Sequence, residues 1–120
     1  MEKQVPGKVK VVKVSEVKPV PVDNATNTYI RVLFSVNEMP TYSMRLFEMD
    51  EGGHIQAHKH PWEHEIFVLE GTIKIRVEQD TFILNKEEAI YIPPNKEHEY
   101  WNVGNTKARF ICVIPVKPTV

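Results

Sequence analysis

Hydrophobic and polar positions alternate with a two-residue step along most of this chain, and no segment carries a sustained helical period. The plainest case is Thr72-Ile73-Lys74-Ile75-Arg76-Val77-Glu78, where one face is apolar and the other charged, as in a strand with one side buried and one wet. Gln79-Asp80 turns the chain, and Thr81 to Leu84 returns. Upstream, Val9, Val11 and Val14 alternate among lysines and predict an edge strand over Lys8–Val17. Pro19 and Pro21 interrupt it, and a connector runs to about Thr26. Tyr29–Val36, β-branched and aromatic, predicts the next strand, ended by Met39-Pro40. Ser43–Met49 is apolar on both parities, which predicts one face against the core and the other against a partner chain. Asp50-Glu51-Gly52-Gly53 reads as a turn. Glu65–Leu69, Ala89–Ile92, His98–Val103 and Ala108–Ile114 complete the series, separated by Glu70-Gly71, Asn85–Glu88, Pro93-Pro94-Asn95 and Gly104-Asn105. Eight or so short strands at such spacing predict an all-β barrel or sandwich.

Length adds that 120 residues make one domain with a real core. The expected division is an N-terminal extension over 1–23, whose edge strand crosses to a partner in a swapped dimer, and a barrel over 24–120. A net charge of −1, with 15 basic and 16 acidic residues interspersed, offers no footprint for nucleic acid and no polybasic membrane patch. No apolar run approaches the ~20 residues of a membrane span, and the N-terminus leads into no signal-peptide core. A cytoplasmic protein is expected. The single cysteine, Cys112, forms no internal disulfide and fits a reducing compartment.

Four of the five histidines fall between Gly52 and Gly71. His58 and His60 are two apart, so on a strand their imidazoles leave one face about 7 Å apart. A bend at Pro61 brings the next strand alongside and aims His64 at the same point. That density asks for a metal ion. The stretch resembles the first cupin motif: Gly52, His58, His60 and Gly71 fall in register, with His64 in the carboxylate position. Pro93, His98 and Asn102 are similar to the second motif. Two glycines of that motif are replaced, by Glu87 and by Asn95, and Asn tolerates the left-handed backbone such turns use. Met44–Phe47 and Cys112–Pro115 extend the likeness to the small four-histidine manganese cupins, over roughly residues 28 to 115.

The resemblance implies a cupin-type jelly-roll barrel, usually dimeric, with His58, His60, His64 and His98 around one divalent first-row metal in the barrel mouth. Manganese is implied by resemblance alone, since imidazole suits iron, nickel, copper and zinc at least as well. Four neutral imidazoles leave two adjacent positions open for water, dioxygen or substrate. The first reading is therefore an oxygenase or related oxidoreductase acting on a small molecule. The alternatives are a non-redox isomerase or lyase, for which Glu48 or Tyr100 is the substitute base, and a metal-dependent binding module. Arg45 reads equally as a surface cation or an anion-binding group. Phe110, Cys112 and Ile114 share a strand face, so Cys112 is either a small buried hydrophobe or a neighbour of the metal cavity, with Ile55 and Phe110 as further wall. Tyr100, Trp101 and Trp62 read as core or interface aromatics, and His54 as a rim residue.

Overall fold

The computed structural model describes residues 7–116. Its strands are β1 (Val20–Pro21), β2 (Ala25–Phe34), β3 (Tyr42–His58), β4 (His64–Glu70), β5 (Ile73–Val77), β6 (Asp80–Leu84), β7 (Ala89–Ile92), β8 (His98–Asn102) and β9 (Ala108–Pro115). Every pairing is antiparallel, and the order β6-β5-β8-β3-β9-β4-β7 wraps a jelly-roll barrel with β2 and β1 beside β3. The all-β expectation holds. No helix among the described residues is long and apolar enough to cross a membrane.

The barrel turns on β3. Its first half, Tyr42–Met49, pairs with β9, while its second half, from His54 to His58, pairs with β8. The stretch Asp50-Glu51-Gly52-Gly53, expected to be a turn, is instead a corner inside one continuous strand of 17 residues. Its partner β2 jumps there from the pair Thr28 and Met49 to the pair Thr26 and His54, so Asn27 alone faces the corner. Gly52 takes φ of 79°, a left-handed backbone that glycine adopts without a Cβ clash. Two strong turn formers thus make a bulge because β2 still supplies hydrogen-bond partners on both sides of it. Asn102 closes the corner from within, its Nδ2 donating to the carbonyls of Met49, Asp50 and Thr106 at 3.0, 3.1 and 2.9 Å.

Inward-facing side chains on alternate positions form the core, among them Met49, Ile66, Val68, Ile73, Ile75, Ile92 and Phe110. Truncating one of the larger of these to alanine costs about 3 kcal/mol. Gly71 joins β4 to β5 at φ of 79°, and a Cβ there would sit 2.8 Å from Ala108 Cα, so no other residue fits.

The N-terminal extension departs from expectation. Lys8–Lys13 forms no strand and pairs with none among the described residues, Val14–Glu16 is a short 3₁₀ turn, and the two-residue edge strand lies later, at Val20–Pro21. Its phase is also reversed, with Val9 and Val11 at 95% and 89% exposure. Polar anchors set that phase: Lys10 Nζ binds Glu38 at 2.6 Å, and Arg31 Nη1 donates to the carbonyls of Val14 and Val17 at 3.2 and 2.7 Å. Within β3, Leu46 on one face and Met49 on the other are both buried by this chain alone. The two-sided apolar pattern therefore needs no partner to explain it.

Candidate metal centre

Three histidines meet at the barrel mouth because three chain segments end there. His58 closes β3 and stands opposite His98, the first residue of β8. His60 lies in the following loop, held by its carbonyl, which accepts from Asn95 N–H at 2.7 Å. The ligand nitrogens of His58, His60 and His98 all lie within 4.8 Å of one another. His64, the first residue of β4, sits beside this trio, its ring 4.8 Å from that of His98 and 5.2 Å from that of His60.

Backbone carbonyls settle two of the tautomers. His58 Nδ1 lies 2.7 Å from the Gln56 carbonyl and His98 Nδ1 lies 2.8 Å from that of Lys96. A carbonyl only accepts, so each Nδ1 carries the proton and each neutral ring turns its Nε2 lone pair elsewhere. His98 Nε2 is buried and has no hydrogen-bond partner among the described residues. An orphaned buried acceptor is costly, and a cation is the partner that fits it. Such Nδ1–H to carbonyl bonds also orient imidazoles that ligate metals.

Electrostatics agree with a neutral donor set. Burial, aided by His58, His98 and Arg45, pulls His60 down to about 4. Burial likewise pulls His64 down to about 3, with His98, His60 and Arg45 adding to it. Burial lowers His98 as well. Around neutral pH these rings are therefore free bases, the form a metal requires. The residues present fit a divalent first-row ion.

His58, His60 and His64 open onto a cavity of about 470 Å³, with His98 buried beside them. Arg45, Ile55, Phe110 and Cys112 all line it, together with Phe47, Tyr100 and the lip Pro21-Val22-Asp23-Asn24. Arg45 is thus a cavity residue. Its Nε donates to the Cys112 carbonyl and its Nη2 to Cys112 Sγ, both at 3.3 Å. Cys112 is buried, and that burial raises its thiol above the usual range. Tyr100, expected to be a core aromatic, is buried and also forms cavity wall, where burial raises its phenol far above the usual value.

Two expectations are corrected. Glu48 is not a base for this cavity: it faces out of the barrel, where Arg31 Nε and Arg109 Nε bind it at 3.1 and 3.0 Å. Burial resists its ionisation, but the two guanidiniums outweigh burial and hold the carboxyl below its ordinary range. His54 is not on the rim but on the outer sheet face, its Nε2–H donating to Glu99 at 2.6 Å over Trp101. The lip at 21–24 was missed because prolines and an Asp-Asn pair look like connector. The only signal was Asn24, whose left-handed φ of 54° makes the turn into β2.

The motif departures keep the left-handed backbone of the glycines they replace, at a cost for Glu87 that Asn95 largely avoids. Glu87 and Asn95, standing where the motif has glycines, adopt φ of 68° and 64°.

The cupin-domain family profile matches residues 45–114. This chain is a member of the cupin family. The cupin is similar to the polyketide synthase protein CurC of Streptomyces cyaneus, 33% identical over 69 residues, which cover 57% of this chain and 45% of CurC. It therefore spans less than half of that relative. It is also 29% identical to an uncharacterised protein of Methanocaldococcus jannaschii over 107 residues, 87% of this chain and 86% of the other. Among solved structures, the polyketide cyclase RemF from Streptomyces resistomycificus superimposes with a TM-score of 0.85 at 29% identity, covering 94% of this cupin and 83% of RemF.

Proposed function

We propose that this cupin is a metal-dependent enzyme that closes or rearranges a small poly-oxygenated organic molecule by enolisation and carbon–carbon bond formation, without net redox change. The observation that carries it is the orphaned, buried Nε2 of His98 beside His58, His60 and His64, which line a cavity that also holds an arginine. Similarity to RemF over most of the chain supports the cyclising chemistry. His58, His60 and His98 hold the ion and His64 completes the set. A bound divalent cation supplies Lewis acidity toward a carbonyl oxygen.

The chain's own groups do the rest. Asp23 is the sole carboxylate among the lining residues, and it takes a proton from a methylene flanked by carbonyls. The carbanion attacks a second carbonyl carbon of the same molecule, a C–C bond forms, and the new alkoxide collects a proton. Tyr100 offers an undissociated phenol for that protonation, since burial keeps it neutral. Ile30, Ile55 and Phe110 line the same space and exclude water from the carbanion.

The oxidoreductase expected first from the sequence is the second reading. An all-imidazole set accepts manganese, iron or copper as readily as zinc, so the donors permit it. Metal analysis of untagged protein followed by turnover of a linear poly-β-ketone under nitrogen separates the two. Ring closure that proceeds anaerobically and stops in Asp23→Asn supports the first. Dioxygen consumption coupled to product, with no anaerobic turnover, replaces it by the second.

A further inference from the structure

Four arginines occur in this chain, and three are neutralised by carboxylates. Arg31 binds Glu48, Arg76 binds Glu97 and Glu99, and Arg109 binds Glu48 and Glu70. Arg45 is the exception among the described residues. Its recorded partners are the carbonyl and the thiol of Cys112, both uncharged, and the face of Phe47, with the guanidinium carbon 5.4 Å from that ring centre. Those contacts occupy Nε and Nη2 and leave Nη1 with no hydrogen-bond acceptor among the described residues. The half-buried guanidinium thus faces the cavity without an anion, fixed by two hydrogen bonds and a ring.

Beside it lies a stack of aromatic rings. Phe47 stacks on Phe110 with ring centres 5.1 Å apart and planes 7° from parallel, and Phe110 stacks on Tyr100 at 5.8 Å and 6°. The ring faces meet one another, with Arg45 over Phe47 and His58 over Tyr100, so this wall offers ring edges of fixed orientation, which suit the face of a bound aromatic ring.

From these two observations we infer that Arg45 and the Phe47–Phe110–Tyr100 stack form an anion subsite for a planar, conjugated monoanion: an aromatic carboxylate, a phenolate or the enolate of a β-diketone. Nη1 receives the oxyanion and the ring edges meet the face of the flat body. The subsite deepens the reading proposed above by naming the charge and shape of the substrate, and rests on that reading only for the ligand being the substrate. The subsite itself uses no metal ligand. The free guanidinium donors meet an oxyanion in charge-assisted bonds, which are stronger than those to a neutral amide. Benzoate should therefore bind where benzamide does not.

The test is calorimetric titration of the full-length protein with benzoate, benzamide and cyclohexanecarboxylate, before and after chelation of metal. Benzoate is expected to bind both forms. Arg45→Met should weaken it about 10- to 100-fold in both forms, the loss of a charge-assisted contact, with metal content unchanged. Benzamide and cyclohexanecarboxylate should each bind more weakly than benzoate. Benzoate binding that vanishes with the metal, survives Arg45→Met undiminished, or is matched by benzamide overturns the subsite. Should Arg45→Met fail to fold, the Arg45 side-chain N–H resonances of the unaltered protein serve instead: they shift on benzoate addition or the proposal is wrong. Since chelated protein has no catalytic metal, a failed cyclisation assay leaves this result standing, and a failed subsite leaves the metal reading standing.

Discussion

The two faces of β3 carry similar chemistry and treat it in opposite ways. On the outer face, Glu48 is shared between Arg31 and Arg109, and beyond the corner His54 donates to Glu99, which also binds Arg76. Bonding capacity there is met within the protein. On the inner face, one residue away in sequence from Leu46, Arg45 has no carboxylate among the described residues, and His64 in the same cavity and His98 beside it carry buried nitrogens without partners there. Charged groups are thus no guide to function on this strand, because the outer face has more of them. Unmet capacity is the guide. It collects where an outside molecule or ion can supply what the protein withholds.

The sharpest break in that contrast is His98→Ala, which removes an inner nitrogen with no role in the outer network. Metal affinity should fall by at least about 100-fold, measured by competition with a chromogenic chelator, while circular dichroism stays that of a β-barrel. Glu48→Ala is the outer counterpart. It leaves Arg31 without a carboxylate and Arg109 with Glu70 alone and should lower stability by about 2 kcal/mol in urea unfolding, with metal content untouched. If Glu48→Ala also releases metal, the two faces are coupled and the contrast fails.

Acid titration of metal-free protein distinguishes the faces without mutation. Unfolded histidine protonates near its ordinary value of 6.5, whereas in the fold His60 resists protonation down to about 4 and His64 to about 3. Between those limits the unfolded chain binds more protons, so stability falls as pH drops from 6.5. Glu48 acts in the same direction over a lower pH window. Its folded carboxyl is held low, so its contribution stands above the ordinary 4.5 and is lost only below it. Melting temperature should therefore decline in two stages, and His60→Gln should remove part of the first alone. The depressed imidazoles also place metal release lower than the pH range of free imidazole. The smallest effect lies outside the mouth: Glu87→Gly should relieve a left-handed φ of 68° and stabilise by about 1 kcal/mol, visible as a higher melting temperature with activity unchanged.

Strand identity was legible wherever alternation was strict, as over Ile73–Val77, because burial on one face is written residue by residue. His58, His60 and His98 were legible from motif spacing, and the tolerance of Asn95 for a left-handed turn from its side chain. What stayed hidden was set by partners distant in sequence. The corner at Gly52 looks like a turn until β2 is known to run past it. The phase of Val9 and Val11 depends on where Glu38 and Arg31 capture the segment, and alternation among lysines reads equally well either way. Glu48 and Arg45 differ by three positions and by face, and only the register with Cys112 shows which one enters the cavity.

The corner strand also carries a kinetic consequence. Tyr42 pairs with Pro115 and His58 with His98, so both halves of β3 wait for chain made long after them. Until β8 and β9 exist, the strand that carries Arg45 and His58 has β2 on one side and nothing on the other. Pairings of such sequence separation place the barrel among slow-folding topologies, on the order of milliseconds to seconds. On the ribosome, His58 and His60 emerge well before His98, and the third nitrogen of the trio arrives with β8, the partner of the second half of β3. Completing the trio is thereby a late event, and an ion bound as proposed above would act late in folding rather than on its nucleation.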